Sequence, residues 1–340
     1  MTEASLPEGL IYSCDSEPGI RRHRAGRGFA YRLPDGSYVR DAAQKARIRG
    51  LGIPPAYRDV WICLKANGHL QASGFDDRGR KQYRYHPDWR SFKDVKKYDA
   101  LLAFGEALPR LRRIFHRGLE AEPGSFAFAA ATLATLLDTI PMRIGNSVYT
   151  AENGTYGATT LTRRHVRFSG GAARFSFRAK GGQQVKCTLR RRALNRALED
   201  VAELPGRTLF SWEDEVGHLH ELDSSDFNAY LAEAAALPGI SAKVFRTWAG
   251  TVEAFETAYR HHLAGESVAI RMLSEAAARR LNNTPAIARN SYIHPAVIAL
   301  AGREGQADAQ RRMRKLEKCS IPAGLRAGEG RLLHYLESVG

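Results

Sequence analysis

The residues of this chain able to do covalent or proton-transfer chemistry lie beside sharp sequence punctuation. Tyr292 sits in Arg289-Asn290-Ser291-Tyr292-Ile293-His294-Pro295, and Asn283-Thr284-Pro285 begins nine residues before it. Pro285 and Pro295 bracket the segment; proline fits the first turn of a helix and breaks its interior, so the two mark boundaries. A phenol ionises near pH ~10 and is a nucleophile once its proton is gone. Arg143 follows directly on a long apolar stretch, Lys180 opens a Lys-Gly-Gly turn, and Lys243 and Arg246 stand three apart at the start of a helical stretch. Each also has an ordinary reading taken alone. These are a loop tyrosine, a salt-bridged structural arginine, a solvated turn lysine and a solvated basic helix face. His261 and His262 read as surface residues, and with no acidic partner at ligand spacing no metal site is assigned.

The chain has 340 residues, enough for two domains with ordinary cores, and its 44% hydrophobic content is that of a globular protein. Lys and Arg number 51 against 36 acidic residues, a formal charge of +15. That excess points to a polyanionic partner, because neutralising phosphates releases condensed counterions. No apolar run is long enough to span a bilayer, and the N-terminus lacks a signal-type apolar core. Cys14, Cys63, Cys187 and Cys319 are scattered without a CxxC pair, which argues against a zinc module or disulfide framework and for a reducing cytosol. Neither a Walker A loop nor GxGxxG is present, so ATP or dinucleotide chemistry has no visible seat.

The elements that must position these residues fall into two parts. Leu33-Pro34-Asp35-Gly36 predicts a turn within a hairpin, and Asp41 predicts an N-cap for a helix over 42–49. Strands are expected over 60–64 and 68–74, with a turn at Asp77-Arg78-Gly79. A further extended stretch follows, in which Lys81, Tyr83 and Tyr85 alternate with Gln82, Arg84 and His86. Interleaved cations and rings suit a nucleic-acid groove, and equally an edge strand with packed tyrosines. Pro87-Asp88-Trp89-Arg90 is expected to close this part and residues 93–98 to form a charged hinge. Beyond it the period turns helical: a helix pair broken near Pro109, then an Ala-, Leu- and Thr-rich core helix over 125–140. Three strands follow within 165–188, with helices over 191–203, 225–236, from Ser241 as N-cap toward His262, over 306–318, and an amphipathic tail over 325–336. The expected fold is α+β, with a small β-rich N-terminal domain (1–92) and a larger, mainly α-helical domain (93–340) carrying a small hairpin sheet.

Five motifs together resemble the type IB DNA topoisomerases, in particular their small poxvirus-like bacterial branch. They are Gly79-Arg80-Lys81-Gln82-Tyr83-Arg84-Tyr85-His86, Arg143-Ile144-Gly145, Lys180-Gly181, Lys243-x-x-Arg246-Thr247, and Asn283-Thr284-Pro285 before Tyr292. The resemblance covers roughly residues 19 to 300 and is shared at a distance by the tyrosine recombinases. It implies that Tyr292 attacks a DNA phosphodiester, with Arg143, Arg246 and Asn283 on the non-bridging oxygens. It implies Lys180 as general acid, with Lys186 and Arg178 as alternatives in the same hairpin. Arg80, Lys81, Gln82, Tyr83, Tyr85, Tyr149, Lys186 and Lys243 are then the expected DNA contacts. Many relatives have His where this chain has Asn283; an amide can donate to a phosphate oxygen but carries no charge. The expected enzyme acts as a monomer clamping duplex DNA in the bacterial cytoplasm, off the membrane, without cofactor or metal. A tyrosine recombinase and a non-enzymatic duplex-binding protein are the two other readings.

Overall fold

The computed structural model describes residues 6–77, 79–302 and 304–339, and of Tyr149 the backbone alone. Arg78 of the expected Asp77-Arg78-Gly79 turn and the side chain of Tyr149 therefore lie outside the described residues. The chain divides into two compact units, residues 1–97 and 98–340.

The first unit is a five-stranded antiparallel sheet with one helix. Its elements are β1 (Ile20–Ala25), β2 (Gly28–Arg32), α1 (Ala42–Gly50), β3 (Arg58–Ile62), β4 (Leu70–Phe75) and β5 (Lys81–Tyr85), in sheet order β2-β1-β3-β4-β5. Ile20, Val39, Ile48, Val60, Ile62 and Ala72 form its core. Asp41 caps α1 by accepting the Gln44 N–H at 2.6 Å, as its sequence position predicts. The turn at Leu33–Gly36 forms as expected: the Gly36 N–H bonds the Leu33 carbonyl at 2.9 Å, and the chain pairs back through the Leu33 N–H on the Ser37 carbonyl at 2.8 Å and the Arg32–Tyr38 bridge. A second hairpin, not expected from the sequence, joins β1 and β2 around Gly26, whose φ of +54° suits glycine.

Helix α2 (Pro87–Gly118) corrects two expectations at once. Residues 87–98 are helical turns rather than a closing turn and a hinge, and Pro109 lies inside a helix of 32 residues rather than between two. An interior proline costs about 3 kcal/mol. Leu101, Phe104, Leu108, Leu111 and Phe115 of the same helix are at most 1% exposed. At roughly 1.5–3 kcal/mol for each buried side chain, their packing outweighs the proline.

In the second unit, α3 (Phe126–Thr139) is the expected core helix, begun by Ser125, whose hydroxyl accepts the Phe128 N–H at 3.2 Å. After α4 (Ser147–Asn153) come β6 (Val166–Ser169), β7 (Ala172–Arg178) and β8 (Gln184–Leu189), an antiparallel meander in that order. Ala173, Phe175, Phe177 and Leu189 turn its inner face to the core. There follow α5 (Arg192–Glu203), the short pair β9 (Ser211–Glu213) and β10 (Leu219–Glu221), and α6 (Ser224–Ala235). Helix α7 (Lys243–Leu263) packs against α8 (Ile270–Leu281), α9 (Pro285–Tyr292), α10 (Pro295–Ile298), α11 (Gln306–Glu317) and α12 (Ala327–Glu337). Together these elements make the fold α+β. Ser241 does not cap α7. Ala242 holds the cap position without a side-chain bond, and the Ser241 carbonyl accepts the Val244 N–H at 2.9 Å. His262 is not a surface residue either: it is 1% exposed and its Nε2 pairs with the Leu300 carbonyl at 2.9 Å.

The C-terminal helices are part of the core, through Met313, Leu316, Leu332, Tyr335 and Leu336. Arg112 of α2 ties α12 down, bonding Asp138 at 2.8 Å and Glu329, itself 2% exposed, at 2.7 Å. Breaking a buried pair leaves an uncompensated charge, so Arg112→Ala is expected to cost about 3–5 kcal/mol. Urea unfolding measures this; a loss under about 0.5 kcal/mol, the scale of an ordinary surface substitution, would mean that the network does not anchor α12.

Candidate active site

Tyr292 is the last residue of α9 and is 9% exposed. The corner before α9 is a helix stop and restart. Asn282 ends α8 in the left-handed region at φ +48°, which asparagine tolerates, and the Asn283 N–H returns to the Ala278 carbonyl at 3.0 Å. Thr284 then caps α9 by accepting the Ile287 N–H at 3.3 Å, with Pro285 as the first helical residue.

Arg246 lies within α7 and is 3% exposed, so Lys243 and Arg246 are not a solvated pair: Lys243 is exposed, Arg246 buried. Its guanidinium donates to the carbonyls of Pro141 and, at 3.0 Å, Leu281, while its Nε is buried without a partner. Its Cζ stands 5.0 Å from the centre of the Tyr292 ring, and the Lys243 ammonium 6.0 Å. Burial alone would push the Tyr292 phenol up. The charge and hydrogen bonding of Arg246, joined by the charges of Arg143 and Lys243, outweigh it and hold the phenol below its ordinary value.

Arg143 is placed by a close backbone crossing. Its carbonyl accepts the Ala158 N–H at 2.8 Å, and that of Ile144 accepts the Thr159 N–H at 2.7 Å. A Cβ on Gly157 would stand 2.5 Å from the Gly145 backbone, so the crossing needs glycine. The Arg143 side chain donates to Asn283 Oδ1 at 2.6 Å. That fixes the amide's orientation: its oxygen is engaged, and its Nδ2 donor is buried without a partner. Four of the five residues singled out as catalytic thus converge: Tyr292, Arg246, Arg143 and Asn283.

Lys180 is not brought into contact with them. It is exposed at the tip of the β7–β8 hairpin and makes no hydrogen bond or ion pair among the described residues; Gly181 and Gly182 beside it have positive φ. Lys186 lies on the outer face of the same sheet. That face also exposes Arg167, Arg174 and Arg178, which sequence reading did not single out as one surface. Arg167 pairs directly opposite Arg174, an arrangement of like charges that costs stability unless an anion lies across it. Strand alternation was the available signal. In the first unit, β5 forms the sheet edge, and its residues are internally partnered. Arg80 bonds Asp76 at 2.8 Å, Gln82 bonds the same carboxylate at 3.0 Å, and Lys81 pairs with Asp15 at 2.7 Å. Tyr83 and Tyr85 stack with ring centres 6.1 Å apart. Among the described residues, no cluster of His, Cys, Asp and Glu could hold a metal ion, and no helix is long and apolar enough to cross a membrane.

Comparison with known proteins places the chain in a family. The family described as "Bacterial DNA topoisomerase IB, N-terminal domain" matches residues 28–76, and that described as "Eukaryotic DNA topoisomerase I, catalytic core" matches residues 86–318. The "DNA topoisomerase 1B" of Acanthamoeba polyphaga mimivirus is 28% identical over 291 residues, covering 81% of this chain and 85% of that one. The catalytic-core match spans well over half the chain, takes in the whole Arg143, Arg246, Asn283 and Tyr292 cluster, and identifies this protein as a member of the type IB DNA topoisomerase family of isomerases.

Proposed function

We propose that the protein relaxes supercoiled duplex DNA by cutting one strand, letting it swivel and resealing it. The observation that carries this reading is the Tyr292 phenol held against the buried Arg246 guanidinium beside the Arg143–Asn283 pair. Tyr292 Oη attacks a backbone phosphorus, and the phenol proton is lost; the surrounding cations favour that ionisation. A 3′-phosphotyrosyl link forms as the bond to the 5′-oxygen breaks. Arg143, the Nε edge of Arg246 and the free Asn283 Nδ2 face the non-bridging oxygens, where charge builds up. Lys180, carried on its hairpin, gives the 5′-oxygen a proton as it leaves. The link keeps the energy of the phosphodiester, so the reverse attack by the 5′-hydroxyl reseals the strand without ATP.

The exposed cations on β6–β8 and the Lys81, Tyr83 and Tyr85 edge are proposed DNA contacts, made by a monomer acting on the bacterial chromosome in the cytoplasm. A hydrophobic patch is not needed for such a partner; counterion release from phosphates supplies most of the affinity.

Relaxation of a supercoiled plasmid in EDTA without ATP tests the reading. The wild-type protein is expected to relax it, and Tyr292→Phe to bind duplex nearly normally while forming no covalent adduct. Adduct formation by that variant would assign the nucleophile elsewhere.

The electrostatics of the phenol generate a second expectation. Arg246→Ala removes the strongest influence lowering its pKa and leaves burial to act, so the rising limb of the cleavage rate against pH should move to higher pH. An unmoved limb on a merely reduced rate would show that Arg246 does not tune the phenol.

The general-acid role of Lys180 is separable by its leaving group. A thiolate, with a thiol pKa near ~8.5, gains little from a delivered proton. Lys180→Ala should therefore cleave ordinary DNA very slowly and recover most of its rate when sulfur replaces the bridging 5′-oxygen, while Arg246→Ala recovers much less. Equal rescue of both, or of neither, would remove Lys180 from that role.

A further inference from the structure

Helix α7 grips Tyr292 a second time, at its backbone. Because α9 ends at Tyr292, its last carbonyls lack partners inside the helix. Thr251, fully buried, donates its hydroxyl to the Tyr292 carbonyl at 3.1 Å and accepts the His294 N–H at 3.2 Å. One hydroxyl thus joins a carbonyl and an amide on either side of Ile293. Gly250 lies beside it, where an added Cβ would stand 2.8 Å from the Tyr292 carbonyl oxygen and 3.2 Å from its Cβ. Glycine weakens a helix interior, so a glycine at the point of closest approach marks what the packing requires. From α2, the Tyr98 hydroxyl donates to the next carbonyl, that of Ile293, at 2.8 Å.

Arg246 and Gly250 are four residues apart and so share one face of α7. The same helix therefore meets the Tyr292 ring with a guanidinium and its main chain with Gly250 and Thr251. We propose that Thr251 and Gly250 form a backbone latch, as positioning residues, that keeps Tyr292 in register with Arg246 through cleavage, strand rotation and resealing. The proposal rests on Tyr292 being the nucleophile. The need for a latch follows from the chemistry. While the cut strand swivels, Tyr292 carries the DNA end, and its phosphorus must still lie where the returning 5′-hydroxyl attacks. Displacement by about 1 Å costs such a reaction on the order of a hundredfold.

The test is the single-turnover cleavage and resealing rate of Thr251→Val, which keeps the shape and removes the hydroxyl, alongside duplex affinity and melting temperature. Both rate constants should fall about tenfold or more at unchanged affinity, at a temperature where the variant is fully folded. Thr251→Ser, which restores the hydroxyl, should return within about threefold of wild type. Gly250→Ala should slow both steps by pushing the Tyr292 main chain away. If Thr251→Val does not fold, Thr251→Ala takes its place against Thr251→Ser. Rates within about twofold of wild type for the hydroxyl-less variant, or a Ser variant as slow as that variant, overturn the latch. The wild-type and Tyr292→Phe proteins run in parallel. A wild-type adduct lost in Tyr292→Phe leaves the latch alone to be judged, whereas a wild-type protein without a Tyr292-dependent adduct overturns the nucleophile reading and the latch with it.

Discussion

A buried arginine beside a buried phenol is the constraint on which this structure depends. A guanidinium held 3% exposed is costly to desolvate unless its donors find partners. Here the partners are main-chain carbonyls from two different segments, Pro141 after α3 and Leu281 at the end of α8. Carbonyls accept the hydrogen bonds without neutralising the charge, as a carboxylate would. The cation therefore remains available to the phenol at 5.0 Å. The segments that solvate Arg246 are also those that carry the other site residues. Arg143 lies two residues after Pro141, and Asn283 two after Leu281, so satisfying one buried cation brings the Arg143–Asn283 pair into place.

The same logic extends to Asn283. Its carbonyl oxygen is taken by Arg143 at 2.6 Å, leaving the amide nitrogen as donor. A neutral amide places no further positive charge next to Arg143 and Arg246, so the donor is kept without added repulsion. The hairpin bearing Lys180 is built on the opposite principle. Its inner face is in the core, but its tip is exposed and carries two positive-φ glycines, and the Lys180 side chain has no hydrogen bond or ion pair among the described residues.

What could be read from the sequence was what is locally encoded. The cap at Asp41, the apolar run of α3 and the alternation of β6 to β8 are decided by neighbours in the chain. The spacing of Asn283 and Tyr292, and the Arg143-Ile144-Gly145 motif, put together on paper, through family resemblance, residues that the fold brings close. What escaped depends on distant neighbours. Pro109 looks like a breaker until the packing of Leu108 and Leu111 is counted; Arg246 looks like a solvated cation until Pro141 and Leu281 arrive; His262 looks exposed until Leu300 covers it. Thr251 carried no signal beyond the odd Gly250 in a helix interior. Lys180 is of another kind, because no contact among the described residues brings that lysine to the phenol.

The central claim is that the Tyr292 hydroxyl is the atom that joins DNA. Trapping the protein on a labelled duplex, digesting both components and sequencing the linked peptide by mass spectrometry tests it most directly. The account predicts a nucleotide attached through its 3′-phosphate to Tyr292 within the peptide containing Asn290 and His294, with a free 5′-hydroxyl on the other DNA end. A nucleotide on any other side chain, or a linkage through a 5′-phosphate, would contradict it.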